Sequence, residues 1–165
     1  MPRLWSRPHL APNAAPPPLP TIAVRLALPQ DVPQIIQLMT VAHAESADAG
    51  LPTPDIDPSG LEQSLVTILN QGYSWAVESD GRIVGGLMAE LTSKFWHPRP
   101  VCLATVHLYV APPYRRGGAA ANLLLGRFTA AARAIGLPAV IQTTFGIRPK
   151  ATARLFAAHG FRVLA

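Results

Sequence analysis

Residues 115–120 read Arg-Arg-Gly-Gly-Ala-Ala, between an apolar stretch ending in Leu108-Tyr109-Val110 and a run of Ala and Leu at helical spacing. That order sets two guanidinium groups and several residues without bulk at the start of a helix. The first turn of a helix exposes N–H groups that have no carbonyl partner and carry partial positive charge. Small side chains at Gly117, Gly118, Ala119 and Ala120 let an anion come within hydrogen-bond distance of those groups, and Arg115 and Arg116 add full charges beside them. The chemistry this predicts is the binding of a phosphate or diphosphate. Two familiar phosphate loops are excluded, because neither G-x-x-x-x-G-K-[ST] nor G-x-G-x-x-G with a downstream acidic residue is present. Metal chemistry is not indicated: Cys102 is the single cysteine, and the five histidines (His9, His43, His97, His107, His159) are scattered.

The elements that must position this loop follow from periodicity. "TIAVRLAL" (21–28) reads as a strand, and "PQDVPQIIQLMTVAHAE" (29–45) places Ile35, Ile36, Leu38, Met39 and Ala42 at helical spacing. After a turn-rich loop, "LEQSLVTILNQG" (61–72) is a second helix with Leu61, Leu65, Ile68 and Leu69 on one face. Residues 73–95 read as two strands joined at Asp80-Gly81, a dipeptide suited to a tight hairpin turn, and 100–110 as a further long strand. A helix over 118–136, a strand over 138–145, a short helix over 150–160 and a last strand "FRVLA" (161–165) complete the chain. The order β α α β β β α β α β predicts an α/β fold, a mixed sheet with helices on its faces.

These residues also match a family pattern. Arg115 to Ala120 fits R/Q-x-x-G-x-G/A and resembles the acyl-CoA pyrophosphate loop of the GNAT superfamily of N-acetyltransferases, preceded by a strand ending V-x-P. "VRLALPQDVPQIIQLM" resembles that family's opening segment, with Arg25, Ala27, Asp31 and Ile35 in register. "WAVESDGRIVGGLMAEL" is similar to its central hairpin, and "TARLFAAHGFR" to its closing helix and strand. The resemblance runs over residues 21–164 and implies a splayed central sheet that admits the pantetheine arm of acetyl-CoA beside the strand ending near Val110. It implies backbone bonds from Leu108 and Val110 to that arm. It also places the pyrophosphate on Arg115, Arg116, Gly117, Gly118, Ala119, Ala120 and Ala121, and lets an amine attack the thioester directly.

Such a transfer needs a base for the amine, a donor for the thioester oxygen and a proton for the leaving thiolate. The N–H of Leu108 is the candidate oxyanion donor by position. His107 is a candidate base, its imidazole titrating near neutral pH, and Glu90 is another. By strict alternation Val106, Leu108 and Val110 share one face and Thr105, His107 and Tyr109 the other, unless a bulge intervenes. Phe156 stands where the family most often has the tyrosine that protonates the thiolate; it retains only the capacity to pack on the acyl-CoA arm. Tyr109 and Tyr114 are the possible replacements, and Pro149 stands where the family has Asn. Glu45, Asp48, Asp55 and Asp57 are candidates to attract a cationic amine, and Phe95, Trp96 and His97 to wall its pocket. Each also reads as ordinary surface or core.

The chain has 165 residues, about half of them apolar, enough to bury one core. Residues 1–20 form a proline-rich leader expected to be extended and outside the fold, leaving 21–165 as the domain. No segment is apolar for long enough to span a bilayer, and the expected location is the cytoplasm. Net charge is +5, yet all nine acidic residues lie in the first ninety positions while ten Lys or Arg follow Leu91. An anionic partner is implied. Aromatic and basic residues are not interleaved on one sheet face, which argues against nucleic acid. The expected partner is a small-molecule or peptide amine, with a homodimer covering the sheet edge left by the short final strand. The alternative to an N-acetyltransferase is a non-catalytic acyl-CoA-binding protein on the same fold, suggested by Phe156.

Overall fold

Residues 20–53, 55–93, 99–141 and 149–162 are described by the computed structural model. Strand β1 (Ala23–Leu26) leads through one 3-10 turn (Pro29–Asp31) into α1 (Val32–Asp48), and α2 (Pro58–Leu69) follows. Strands β2 (Trp75–Ser79), β3 (Arg82–Thr92) and β4 (Cys102–Val110) come next, then α3 (Ala119–Ala134), β5 (Ala139–Ile141) and α4 (Pro149–Ala158). Phe161 and Arg162 belong to no regular element, so the expected last strand is not formed there. Its remainder, the leader through residue 19, the second half (142–145) of the 138–145 strand, and Phe95, Trp96 and His97 lie outside the described residues.

Local chemistry sets the boundaries. Asp57 caps α2 by accepting the Ser59 N–H at 3.2 Å, with Pro58 in the first helical position, so the helix begins ahead of its apolar face. Asp31 fixes the entry to α1. Its carboxylate accepts the Leu28 N–H at 2.8 Å and both guanidinium nitrogens of Arg25 at 2.7 and 3.0 Å, while Arg25 Nε reaches Glu78 on β2 at 2.8 Å. At the β2–β3 turn Asp80 and Gly81 both adopt positive φ, 50° and 72°, as a two-residue hairpin loop demands.

The sheet runs β1-β2-β3-β4-β5. The first four strands are antiparallel and β5 is parallel to β4. α3 covers one face, packing Leu124, Leu125 and Phe128 on Val77, Leu87, Leu103 and Val110. α1 and α2 cover the other, setting Ile35, Leu38, Leu65 and Ile68 against Ala76, Ile83 and Met88. Successive strand residues supply opposite faces, which is why these strands read as nearly continuous apolar runs.

Two irregularities of β4 bear on the site. Met88 lies opposite His107 but Ala89 lies opposite Thr105, so β4 carries Val106 as an extra, bulged residue. The phase of the strand changes there. Thr105 lies on the α3 face with Ala89, while His107 and Tyr109 lie on the α1–α2 face with Met88. This corrects the alternation that grouped Thr105 with His107. The second irregularity is at the other edge: β4 pairs with β3 up to Val110, but with β5 only over Leu103–Thr105 among the described residues.

Candidate functional site

The chain leaves β4 through a 3-10 turn (Pro112–Tyr114) and reaches α3 by way of two consecutive glycines in the left-handed region, Gly117 at φ 72° and Gly118 at φ 71°. Side chains with a Cβ are strained in that conformation, so the pair explains why glycines are needed. The Gly118 N–H is bonded to the Arg115 carbonyl at 3.1 Å, which closes the turn. A Cβ placed on Gly117 would meet nothing within 4 Å, so the space in front of the turn is open to a ligand. Ala120 is buried at 1 % exposure and joins the core, where its small size lets the first turn of α3 lie close to the sheet. Asn122 braces the turn from behind, donating from Nδ2 to the Gly118 carbonyl at 3.0 Å, and its Oδ1 lies 2.9 Å from Nε2 of His159 after α4. No sequence motif flagged Asn122. Its spacing of one helical turn from Gly118 is the signal that was present.

The two adjacent arginines part company. Arg116 is exposed at the mouth of the glycine turn. Arg115 turns away from it, donating from Nη1 and Nη2 to the Glu45 carboxylate, each at 2.6 Å, and from Nε to the Val110 carbonyl at 2.6 Å. Its guanidinium also lies 5.0 Å from the centre of the Tyr109 ring. The side chain of Arg115 is therefore withdrawn from the anion position expected for it. Its backbone remains part of the turn.

Backbone direction on β4 follows from one bond. Ala111 donates to the Val84 carbonyl at 2.8 Å, and bonded residues alternate along an antiparallel ladder. Ala111, Tyr109 and His107 thus turn their backbone groups toward β3, while Leu108 and Val110 turn theirs toward the β5 side. The Leu103 N–H on that side is taken by the Pro138 carbonyl, and described β5 ends at Ile141, opposite Thr105. Leu108 lies past that point, its N–H and carbonyl on the β5 side and without a backbone partner among the described residues. The Val110 carbonyl faces the same way but already accepts Arg115 Nε, which reduces its capacity for a second partner.

The ionisable candidates gather on the α1–α2 face. His107 stacks on Tyr109 with ring centres 6.3 Å apart, and its Nε2 is buried with no hydrogen-bond partner among the described residues. Burial holds its pKa below the usual histidine value, so the ring is neutral at neutral pH with a nitrogen lone pair available. Glu90, on the same face of β3, lines an open depression of about 360 Å³ with Gln63, Ser64, Thr67 and Ile68. Tyr109 donates its hydroxyl to Glu45 at 2.7 Å, and its pKa is pushed up to about 12 by burial and then by that carboxylate. A phenol that holds its proton so firmly is poorly matched to a thiolate of ordinary basicity near 8.5. The Tyr109 hydroxyl is engaged with Glu45 on the α1–α2 face.

Phe156 sits half-buried on α4 in edge contact with Phe161, ring centres 6.2 Å apart, and Phe161 stacks on Phe128 at 6.3 Å. It is a member of the α3-side packing. Tyr114 packs against the same cluster. Pro149 opens α4, where a missing N–H costs nothing. Among the described residues there is no cluster of His, Cys, Asp and Glu that would hold a metal, and no helix is long and apolar enough to cross a membrane.

A family model described as acetyltransferase (GNAT) domain matches residues 70–163, more than half of the chain. No curated protein sequence matches. Solved structures share the fold. A predicted acetyltransferase with acetyl-CoA from Clostridium acetobutylicum is 16 % identical, with 87 % of this chain and 92 % of that one covered at a TM-score of 0.64. An agmatine N-acetyltransferase is 18 % identical, covering 87 % and 84 % at 0.67. An aminoglycoside acetyltransferase from an uncultured soil metagenomic sample, in complex with sisomicin, is 19 % identical, covering 82 % and 86 % at 0.57.

Proposed function

The chain belongs to the GNAT acetyltransferase family, and on that premise we propose that it moves an acetyl group from acetyl-CoA to the amine of a small molecule or peptide. One observation carries the reading. The backbone edge of β4 at Leu108, unpaired among the described residues, runs directly into a glycine turn where a Cβ on Gly117 would meet none of the described residues within 4 Å. The edge suits an extended pantetheine arm, and the turn suits the diphosphate at its end.

Acetyl-CoA supplies an activated acyl carbon and a thiol leaving group. Arg116 and the N–H groups of Gly117 and of Ala119 to Ala121 hold the diphosphate, with the Gly118 N–H closing the turn and Asn122 bracing it. The N–H of Leu108, on the β5 side of β4, stabilises the thioester oxygen as it gains charge. Glu90 attracts an amine arriving on the α1–α2 side, and His107, neutral and on that face, takes its proton as the nitrogen bonds to the acyl carbon; the carbon–sulfur bond then breaks and coenzyme A leaves as a thiolate that is protonated by water. Structural relatives act on amines, agmatine and an aminoglycoside by their names, which supports a small cationic acceptor.

A second reading, an acyl-CoA-binding protein without turnover, is favoured by Phe156, which has no proton to give and is engaged in packing. Thiol release from acetyl-CoA over a panel of polyamines, aminoglycosides and amino-terminal peptides separates the two. Release with at least one amine supports the transferase; tight coenzyme A binding with none supports the second reading. In either case Gly118→Ile is expected to abolish coenzyme A binding, since it adds bulk at a φ of 71°. The strain of about 1–2 kcal/mol leaves a folded chain by circular dichroism. Unchanged affinity in that variant would remove the site.

A further inference from the structure

We propose that Glu45, on the last turns of α1, is a positioning residue for acetyl-CoA: through Arg115 it fixes the glycine turn in the shape that receives the diphosphate. This rests on the transferase reading above and adds a residue to it from the opposite side of the sheet.

Glu45 and Arg115 are 70 positions apart in the chain, yet the carboxylate meets the guanidinium in a two-bond fork at 2.6 Å for each bond. An exposed ion pair of this kind contributes little to a fold. This one differs in three ways. Both side chains are about two-thirds covered, at 31 % and 26 % exposure, so solvent screens them less. Tyr109 adds a hydroxyl donor to the same carboxylate at 2.7 Å and a ring face to the guanidinium. And Arg115 Nε ties the group to the last carbonyl of β4 at 2.6 Å.

The main chain of the same arginine does the rest. Its carbonyl accepts the Gly118 N–H at 3.1 Å, the bond that closes the two left-handed glycines into a turn. Side chain and backbone of Arg115 thus connect α1, the end of β4 and the diphosphate turn in one unit. The carboxylate accepts both arms of the planar fork and holds the guanidinium in one orientation; a neutral amide offers only one acceptor oxygen, and a lysine has no fork. Losing either leaves the turn free to sample other arrangements, and the bound shape is then reached less often. On this reading Glu45 is engaged with Arg115 and does not serve as the carboxylate that attracts the amine.

The test compares two probes by isothermal titration calorimetry, coenzyme A and pantetheine, which lacks the nucleotide diphosphate. The variants are Glu45→Gln and Arg115→Lys, with thermal unfolding as a check on the fold. Each variant is expected to bind coenzyme A about tenfold more weakly, the loss of one charge-assisted fork, while pantetheine affinity is unchanged. A general loosening of the structure would weaken both probes by the same factor, and that result overturns the proposal, as does unchanged coenzyme A affinity. Should Glu45→Gln not fold, Arg115→Lys decides the matter by the same comparison. Wild-type protein that does not distinguish the two probes at all removes the diphosphate site itself; wild-type discrimination that survives in both variants removes only the role of Glu45.

Discussion

Insertion of Val106 into β4 turns the imidazole of His107 toward α1 and α2, and burial there favours its neutral form. The unfolded chain then binds the proton more readily than the folded one. The stability this group contributes is present above its unfolded value of about 6.5 and is lost as pH falls through the lower folded value. His107→Gln is expected to flatten the fall of the urea midpoint below that pH and to reduce turnover about a hundredfold with coenzyme A affinity intact. Wild-type turnover in the variant would remove His107 as the base. His107 was legible in the sequence as a candidate, but its facing was not, because Thr-Val-His reads equally well in either phase and only the pairing with β3 reveals the bulge. The two arginines make the same point. They are neighbours of one chemical type, and what separates them is a carboxylate 70 positions earlier in the chain.

At the scale of elements, apolar periodicity located the helices and strands that carry the site, since each buries one face against the sheet. End chemistry was less legible. α2 starts at its Asp57 cap, ahead of its first apolar residue. Asp31 shows how much a single carboxylate does at such a junction, tying β1 through Arg25 to the start of α1 at only 4 % exposure. Asp31→Asn is expected to destabilise the fold by about 1–3 kcal/mol at neutral pH, as loss of a buried charged acceptor does. The Arg25 guanidinium holds the Asp31 carboxyl below the usual carboxylate range. Its contribution is therefore present above about pH 4 and lost as pH falls through the lowered folded value. Urea unfolding should show the wild type approaching the variant in acid; a constant gap between the two would contradict this.

Across the whole molecule, charge and topology point the same way. The acidic residues fall in the first ninety positions, which supply α1, α2 and most of the first three strands, and ten of the fourteen basic ones follow Leu91. The sheet therefore separates an acidic side, suited to a cationic amine, from the start of α3, suited to an anion. Composition revealed that polarity. What it did not reveal is that β4 serves both, presenting His107 to the α1–α2 face and the backbone of Leu108 along its β5-side edge. The most direct test is a 1H–15N correlation spectrum of the full chain titrated with coenzyme A. The amides of Gly117, Gly118, Ala119 and Ala120 are expected to shift together with that of Leu108, in proportion to occupancy. Saturable binding that leaves those five resonances in place would contradict the account.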